Sequence, residues 1–303
     1  MITSSIPVAE DLHLIPLSVP LPGFENFVSA WLYLGQPRFL VDVGPASTAE
    51  TLFECLERLG VTDLDYILLT HIHLDHAGAA GQVAAKYGNA PIVCHAAAIP
   101  NLVEPERLWE GTKKVLGKTA LGYGPIRPVA ANRLVDAAEF SDTTIKALRT
   151  PGHAVHHVSY IKDDYLFAGE TAGVWLNLGA TGEYLRPATP PRFYLDTAVD
   201  SLERLMDSAP RWLCYGHFGI ADEARNRLQM HMEQMLFWEQ SISNLMARKK
   251  APDDLAEKCA ERLLTQDPLL RHFSALPLPI QKREAYFMRN SIRGFIGWIE
   301  SKA

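Results

Sequence analysis

The apolar residues of this chain change rhythm near residue 220. Before it they come in short runs closed by glycine, proline or aspartate; beyond it they recur at helical spacing. Residues 26–34 and 37–43 are expected to form consecutive strands, joined by a turn at Gly35-Gln36. Ser47 to Glu50 has the form of a capping box, opening a helix striped by Leu52, Leu56 and Leu59 and closed by Gly60. The unbroken apolar run at 66–69 predicts a strand covered on both faces. An alanine-rich helix over 76–87 and a strand over 91–95 follow, then a helix over 105–116 and a glycine-rich loop over 117–124. Three strands are predicted at 144–148, 157–161 and 165–168, with a hairpin turn at Lys162-Asp163-Asp164. Residues 171–192 read as loop, 196–207 as a short helix and 212–215 as a last strand. Alternating strands and helices make this part an α/β domain, placed at residues 1–220.

The second rhythm begins after Gly219. Leu228, Met232, Met235, Ile242 and Leu245 stripe a helix over 221–250, broken at Ala251-Pro252. Further helices are expected over 253–264 and 281–299, the last with Ala285, Met288, Ile292, Phe295 and Ile299 on one face. Residues 221–303 are therefore expected to form an all-helical C-terminal subdomain.

Composition narrows the function classes. The 303 residues are 48% hydrophobic and 21% charged, ordinary for a globular chain. A net charge of −6 argues against a general nucleic-acid binder. No apolar run is long enough to span a bilayer, and the first 22 residues lack the pattern of a signal peptide, so a cytoplasmic protein is expected. Cys55, Cys94, Cys214 and Cys259 are scattered without a CxxC pair, as expected of buried free thiols.

The chemistry concentrates at one strand end. His71-Ile72-His73-Leu74-Asp75-His76 packs three imidazoles and a carboxylate into six residues. Neutral imidazole is the commonest protein ligand for zinc, and carboxylate is its usual partner where water is activated. His71 and His73 alternate with an apolar residue, so on an extended backbone they point to one side. Asp75 and His76 fall where the chain turns away. Three later strand ends offer further ligands: His153 after Pro151-Gly152, Glu170 after Gly169, and His217 between Gly216 and Phe218-Gly219.

The HxHxDH stretch and the order of these strand-end ligands resemble the metallo-β-lactamase fold superfamily over residues 28–219. The resemblance implies an αββα sandwich, and the helical tail is similar to the C-terminal addition of glyoxalase II-like members. It implies that His71, His73 and His153 hold one metal and that Asp75, His76 and His217 hold a second. Glu170 stands where the bridging carboxylate is most often aspartate. One methylene longer, it would bridge from a backbone set further back, bind one metal only, or weaken the second site. The implied cofactors are two divalent ions, zinc first, with iron and manganese open. The implied reaction is hydrolysis of an ester, thioester or lactone by a metal-bound hydroxide, with Asp75 as proton acceptor. Phosphodiester cleavage and mononuclear-iron sulfur dioxygenation are the alternatives, and a metal-stabilised scaffold the non-enzymatic one. The partner is a small molecule; the oligomeric state is open.

Asp42 resembles the family's aspartate that orients a ligand imidazole. His156 and His157 are expected to pack behind the ligands, His95 to lie at a rim, and His13, His231 and His272 at the surface. Leu108, Trp109, Trp175, Leu176, Leu178, Tyr184 and Leu185 are expected to roof an apolar pocket or to pack against the tail. Lys282, Arg283, Arg289 and Arg293 are read as solvated helix charges rather than as a carboxylate-binding set.

Overall fold

A computed structural model describes residues 4–208, 210–247 and 254–302. The chain divides into two compact units, each woven from several segments. One holds residues 1–149, 156–163 and 216–218, the other 150–155, 164–215 and 219–303. The tail helices share a unit with residues 164–215.

The first unit is built on a seven-stranded sheet whose strands lie in sequence order. Ile6–Pro7, Leu12–Pro16, Ser29–Tyr33 and Phe39–Val41 pair antiparallel. Tyr66–Leu68, Ile92–Cys94 and Leu134–Asp136 then continue in parallel, through the registers Val41↔Leu68, Leu68↔Val93 and Val93↔Val135. Ile67, Leu68 and the whole of Ile92–Cys94 are buried, as the unbroken run before the histidine cluster predicts, while Leu134–Asp136 at the end of the order is half-buried. An antiparallel hairpin, Ile145–Arg149 with Val158–Lys162, joins this unit. The buried Tyr160 hydroxyl ties it to the sheet, donating to the carbonyls of Leu69 (2.9 Å) and Val93 (3.2 Å).

The second unit holds Tyr165–Gly169 parallel to Trp212–Tyr215, with Ile220–Ala221 beyond it. The α-helices Leu195–Ser208, Ala224–Met246, Leu255–Gln266 and Leu278–Lys302 belong to it. The tail stripe is as expected at Leu228, Met235, Ile242, Leu245, Met288, Ile292 and Phe295, all buried. The break expected at Ala251-Pro252 lies outside the described residues.

Several local expectations need correction. Residues 171–192 carry a β-hairpin, Val174–Asn177 with Glu183–Arg186, rather than a loop. Its partner is charge: buried Arg186 meets Glu284 of the last helix at 2.5 Å, and Gln234 donates to the Leu185 carbonyl at 2.7 Å. Trp175, Tyr184 and Leu185 are buried in this packing, the tail-packing alternative rather than a pocket roof. Residues 118–123 form a helix, Lys118–Tyr123, because Gly117 and Gly124 at φ +53° and +78° close its ends while Ala120 and Tyr123 are buried. The capping box at Ser47 does not form: Ala46–Thr48 is a 3-10 turn, and Thr48 donates to the Pro45 carbonyl instead. The strand Leu12–Pro16, within the proline-interrupted start, was not anticipated.

The alanine-rich helix is also split, into Leu74–Ala77 and Ala80–Lys86. Gly78 sits between them with its backbone pressed on the Pro45-Ala46 turn. A Cβ there would stand 2.3 Å from the Leu74 carbonyl oxygen and 2.8 Å from the Ala46 nitrogen. The short first piece puts Asp75 and His76 on a helical turn directly after the extended His73.

Candidate metal centre

In the first unit, the strand Tyr66–Leu68 delivers Thr70 and the histidine cluster to the C-terminal end of the parallel strands. Asp42 organises it. Its backbone is left-handed (φ +57°), a conformation costly for a non-glycine residue and held here by its contacts. Its carboxylate accepts from the Thr70 backbone N–H (2.8 Å), the Thr70 hydroxyl (2.8 Å) and His76 Nδ1 (2.8 Å). The Thr70 hydroxyl has one proton, which goes to Asp42, so at 3.0 Å it accepts from His71 Nδ1. His73 turns its Nδ1 to within 3.1 Å of His71 Nε2. His217, on the left-handed turn before Phe218 (φ +36°), lies against the carbonyl of Phe27 through Nδ1 at 3.3 Å. Its ring stacks on Phe27 with centroids 4.1 Å apart. The ligand atoms of Asp75, His76 and His217 all lie within 4.8 Å of one another.

In the second unit, His153 and Glu170 form a pair. A bulge between Phe167 and Gly169, with Gly169 left-handed at φ +56°, turns the chain so that the next residue leaves the sheet. Glu170 Oε2 stands 2.9 Å from His153 Nε2, while His153 Nδ1 donates to the Ala188 carbonyl at 2.8 Å. Gly152, just before His153, packs closely on the Leu195–Ser208 helix, where a Cβ would meet that of Ala198 at 2.9 Å.

The donor chemistry fits divalent metal. A carbonyl or carboxylate can only accept, so His76, His153 and His217 carry their proton on Nδ1. The same holds for His71 through the Thr70 hydroxyl. Each Nε2 then bears the lone pair, the arrangement that ligating histidines take. Two of these lone pairs face carboxylate oxygens: His153 Nε2 that of Glu170 at 2.9 Å and His217 Nε2 that of Asp75 at 3.9 Å. Acceptors crowded together in this way are held by a cation or an added proton, and a divalent ion serves several at once.

Around these residues the other histidines divide. His157 is fully buried and stacks on His71 with centroids 5.2 Å apart; His156 lies at 6.4 Å from His71. Both therefore lie beside the His71 ring. His95 Nδ1 accepts from the Ala97 N–H, capping a short turn. His231, expected at the surface, is instead 1% exposed, and burial lowers its pKa to about 4. Its place on the buried stripe, three residues after Leu228, is the signal that could have found it. All four cysteines are buried and free, and burial raises the Cys94 thiol to about 12, so none is poised as a nucleophile. Thr70 and Tyr123, whose hydroxyls reach Asp42 and Asp75, were missed by sequence reasoning. A threonine beside a ligand run carries no signal of its own, and Tyr123 lay in a segment read as loop.

Comparison with known proteins agrees. The family model described as the metallo-beta-lactamase superfamily matches residues 23–217. A metallo-beta-lactamase fold-containing protein of Sulfurisphaera tokodaii is 27% identical over 77% of this chain and 87% of its own length. A hydroxyacylglutathione hydrolase of Xanthomonas campestris is 31% identical over 65% of this chain and 63% of its own, so the chain spans under two thirds of that relative. Among solved structures, an archaeal metallo-beta-lactamase superfamily protein from Sulfolobus tokodaii aligns with a TM-score of 0.68 at 22% identity, covering 94% of this chain and 99% of the other. A metallo-beta-lactamase family protein from Thermus thermophilus aligns with a TM-score of 0.64 at 21% identity, covering 98% and 95%.

Proposed function

We propose that this chain, which belongs to the metallo-beta-lactamase superfamily and is a metallo-hydrolase with that superfamily's fold and added C-terminal helices, hydrolyses a small-molecule thioester, ester or lactone with two divalent ions, zinc first. In this reading His71, His73 and His153 hold one ion, Asp75, His76 and His217 hold the other, and Glu170 completes the set. Residues 1–220 carry the chemistry, and the helices of 221–303 are an appended element. The reading rests chiefly on one observation: four of these histidines have Nδ1 on an oxygen partner, which puts the lone pair on Nε2.

When bound, divalent ions lower the pKa of water and polarise a scissile carbonyl. The chain's own groups do the rest. Asp42 and Thr70 hold His76 and His71 in their ligand tautomer. Asp75 takes the proton of the attacking water on a carboxylate oxygen and returns it to the leaving group. No serine or cysteine nucleophile is required, which agrees with the inert, buried thiols. The hydroxyacylglutathione hydrolases among the relatives put a thioester first. The free cysteines support a reducing, cytoplasmic setting. Among the described residues no helix is long and apolar enough to cross a membrane.

The test is a panel on the zinc-loaded chain: a hydroxyacylglutathione thioester, an aryl ester, a lactone, an aryl phosphodiester, and oxygen uptake with a persulfide. The expected result is fastest turnover on a carbonyl substrate, with kcat/KM on the order of 10⁴ M⁻¹s⁻¹ or higher. Phosphodiester cleavage or oxygen uptake without turnover of any carbonyl substrate would overturn the reading.

A further inference from the structure

Asp75 and His217 come from distant segments of the first unit's sequence, yet an unbroken arc of aromatic rings joins them. The Tyr123 hydroxyl lies 3.4 Å from Asp75 Oδ2 and donates to it. The same oxygen stands 3.9 Å from His217 Nε2. The Tyr123 ring, 0% exposed, meets Phe24 edge-on with centroids 6.3 Å apart. Phe24 meets Phe27 edge-on at 5.5 Å, and Phe27 stacks on His217 at 4.1 Å while its carbonyl faces His217 Nδ1. One end of the arc therefore holds the carboxylate and the other end the imidazole of the same ligand group.

The arc is built tightly. Gly122, beside Tyr123, faces Leu21, and a Cβ there would come within 2.6 Å of the leucine Cδ1. The Lys118–Tyr123 helix thus packs directly on the 21–27 segment that carries both phenylalanines. A phenol is a costly group to bury without a partner. A phenylalanine would fill the same space, so what the hydroxyl adds at this end of the arc is the contact with Asp75.

We propose that Tyr123 is a positioning residue for the Asp75–His76–His217 ligand group: its hydroxyl fixes the Asp75 carboxylate, and Phe24 and Phe27 couple that carboxylate to the His217 ring. The inference rests on the two-metal reading and concerns the second ion. Outer partners of metal ligands typically change affinity by about 10–100-fold.

The test titrates metal-free wild type, Tyr123→Phe and Phe24→Leu with cobalt(II), following binding by calorimetry and by the visible ligand-field spectrum. Wild type is expected to take two equivalents. Tyr123→Phe is expected to keep the first at wild-type affinity and to bind the second about 10-fold more weakly or worse, with an altered spectrum for that ion alone. Phe24→Leu, which keeps the phenol and removes the brace, should weaken the same equivalent by a smaller factor. The melting temperature of each metal-free variant establishes that it is folded. Two equivalents with wild-type affinity and spectrum in both variants would overturn the role of Tyr123. Fewer than two equivalents in wild type would instead defeat the two-metal reading itself.

Discussion

The two compact units each bury a cluster of ionisable side chains, and the clusters solve the problem of burial in opposite ways. In the second unit Glu284, fully buried, lies between two guanidiniums, with Arg186 Nε at 2.5 Å and Arg283 Nε at 2.8 Å; Arg283 is thus buried, not the solvated charge expected of it. Donors meet acceptors there. Burial opposes ionisation of the carboxyl, but the two arginines prevail and hold its pKa below the usual value. In the first unit the buried groups are aligned differently. Asp42 and Thr70 take the Nδ1 protons of His76 and His71, and the His76 lone pair converges with His217 and the carboxylate of Asp75. In one cluster donors meet an acceptor; the other is acceptors facing acceptors, which a cation completes. The match of donors to acceptors, more than burial or residue type, separates a structural network from a ligand site.

The comparison breaks most visibly at Glu284. Replacing it by alanine leaves two buried guanidiniums without their carboxylate, and unfolding free energy should fall by about 3–5 kcal/mol. Denaturant melts measure this, and the folded fraction of the variant should still bind metal as wild type does. A loss under about 1 kcal/mol would mean that the network is not a structural tie.

Acid should expose a different buried group, His231. Its folded pKa is lowered to about 4 from an ordinary 6.5, chiefly by burial, with Gln234 at 3.4 Å opposing weakly. The unfolded chain therefore binds the proton more readily between these values, and stability rises with pH across that window. The stabilisation is complete above pH 6.5 and is lost as pH falls toward 4, about 3 kcal/mol in all. The difference in stability between wild type and His231→Leu, followed from pH 7 to pH 4, should change by that amount. A constant difference would show that His231 is not held neutral.

The first cluster was legible in the sequence because metal binding needs particular residue types at a strand end, and few other demands put three histidines in six positions. The strand that delivers it was legible for a related reason: burial on both faces leaves an unbroken apolar run. The second cluster was not legible. Arg186 and Glu284 are 98 residues apart, each reads as an ordinary charge, and only the hairpin brings them together. That hairpin was hidden because its turn residues, Gly179 and Gly182 at φ +60° and +122°, make a strand pair look like loop. His231 was misread because a histidine on a helix carries no mark of burial beyond its place on the stripe. Thr70 and Tyr123 act through single hydroxyls, whose worth depends on what the fold sets within reach.

The central claim, that the acceptor-rich cluster is half of a two-metal hydrolytic centre, is tested most directly by metal content. Protein stripped with chelator, reloaded with excess zinc, passed through a desalting column and analysed by elemental mass spectrometry should retain two equivalents per chain. One equivalent or none would contradict the account.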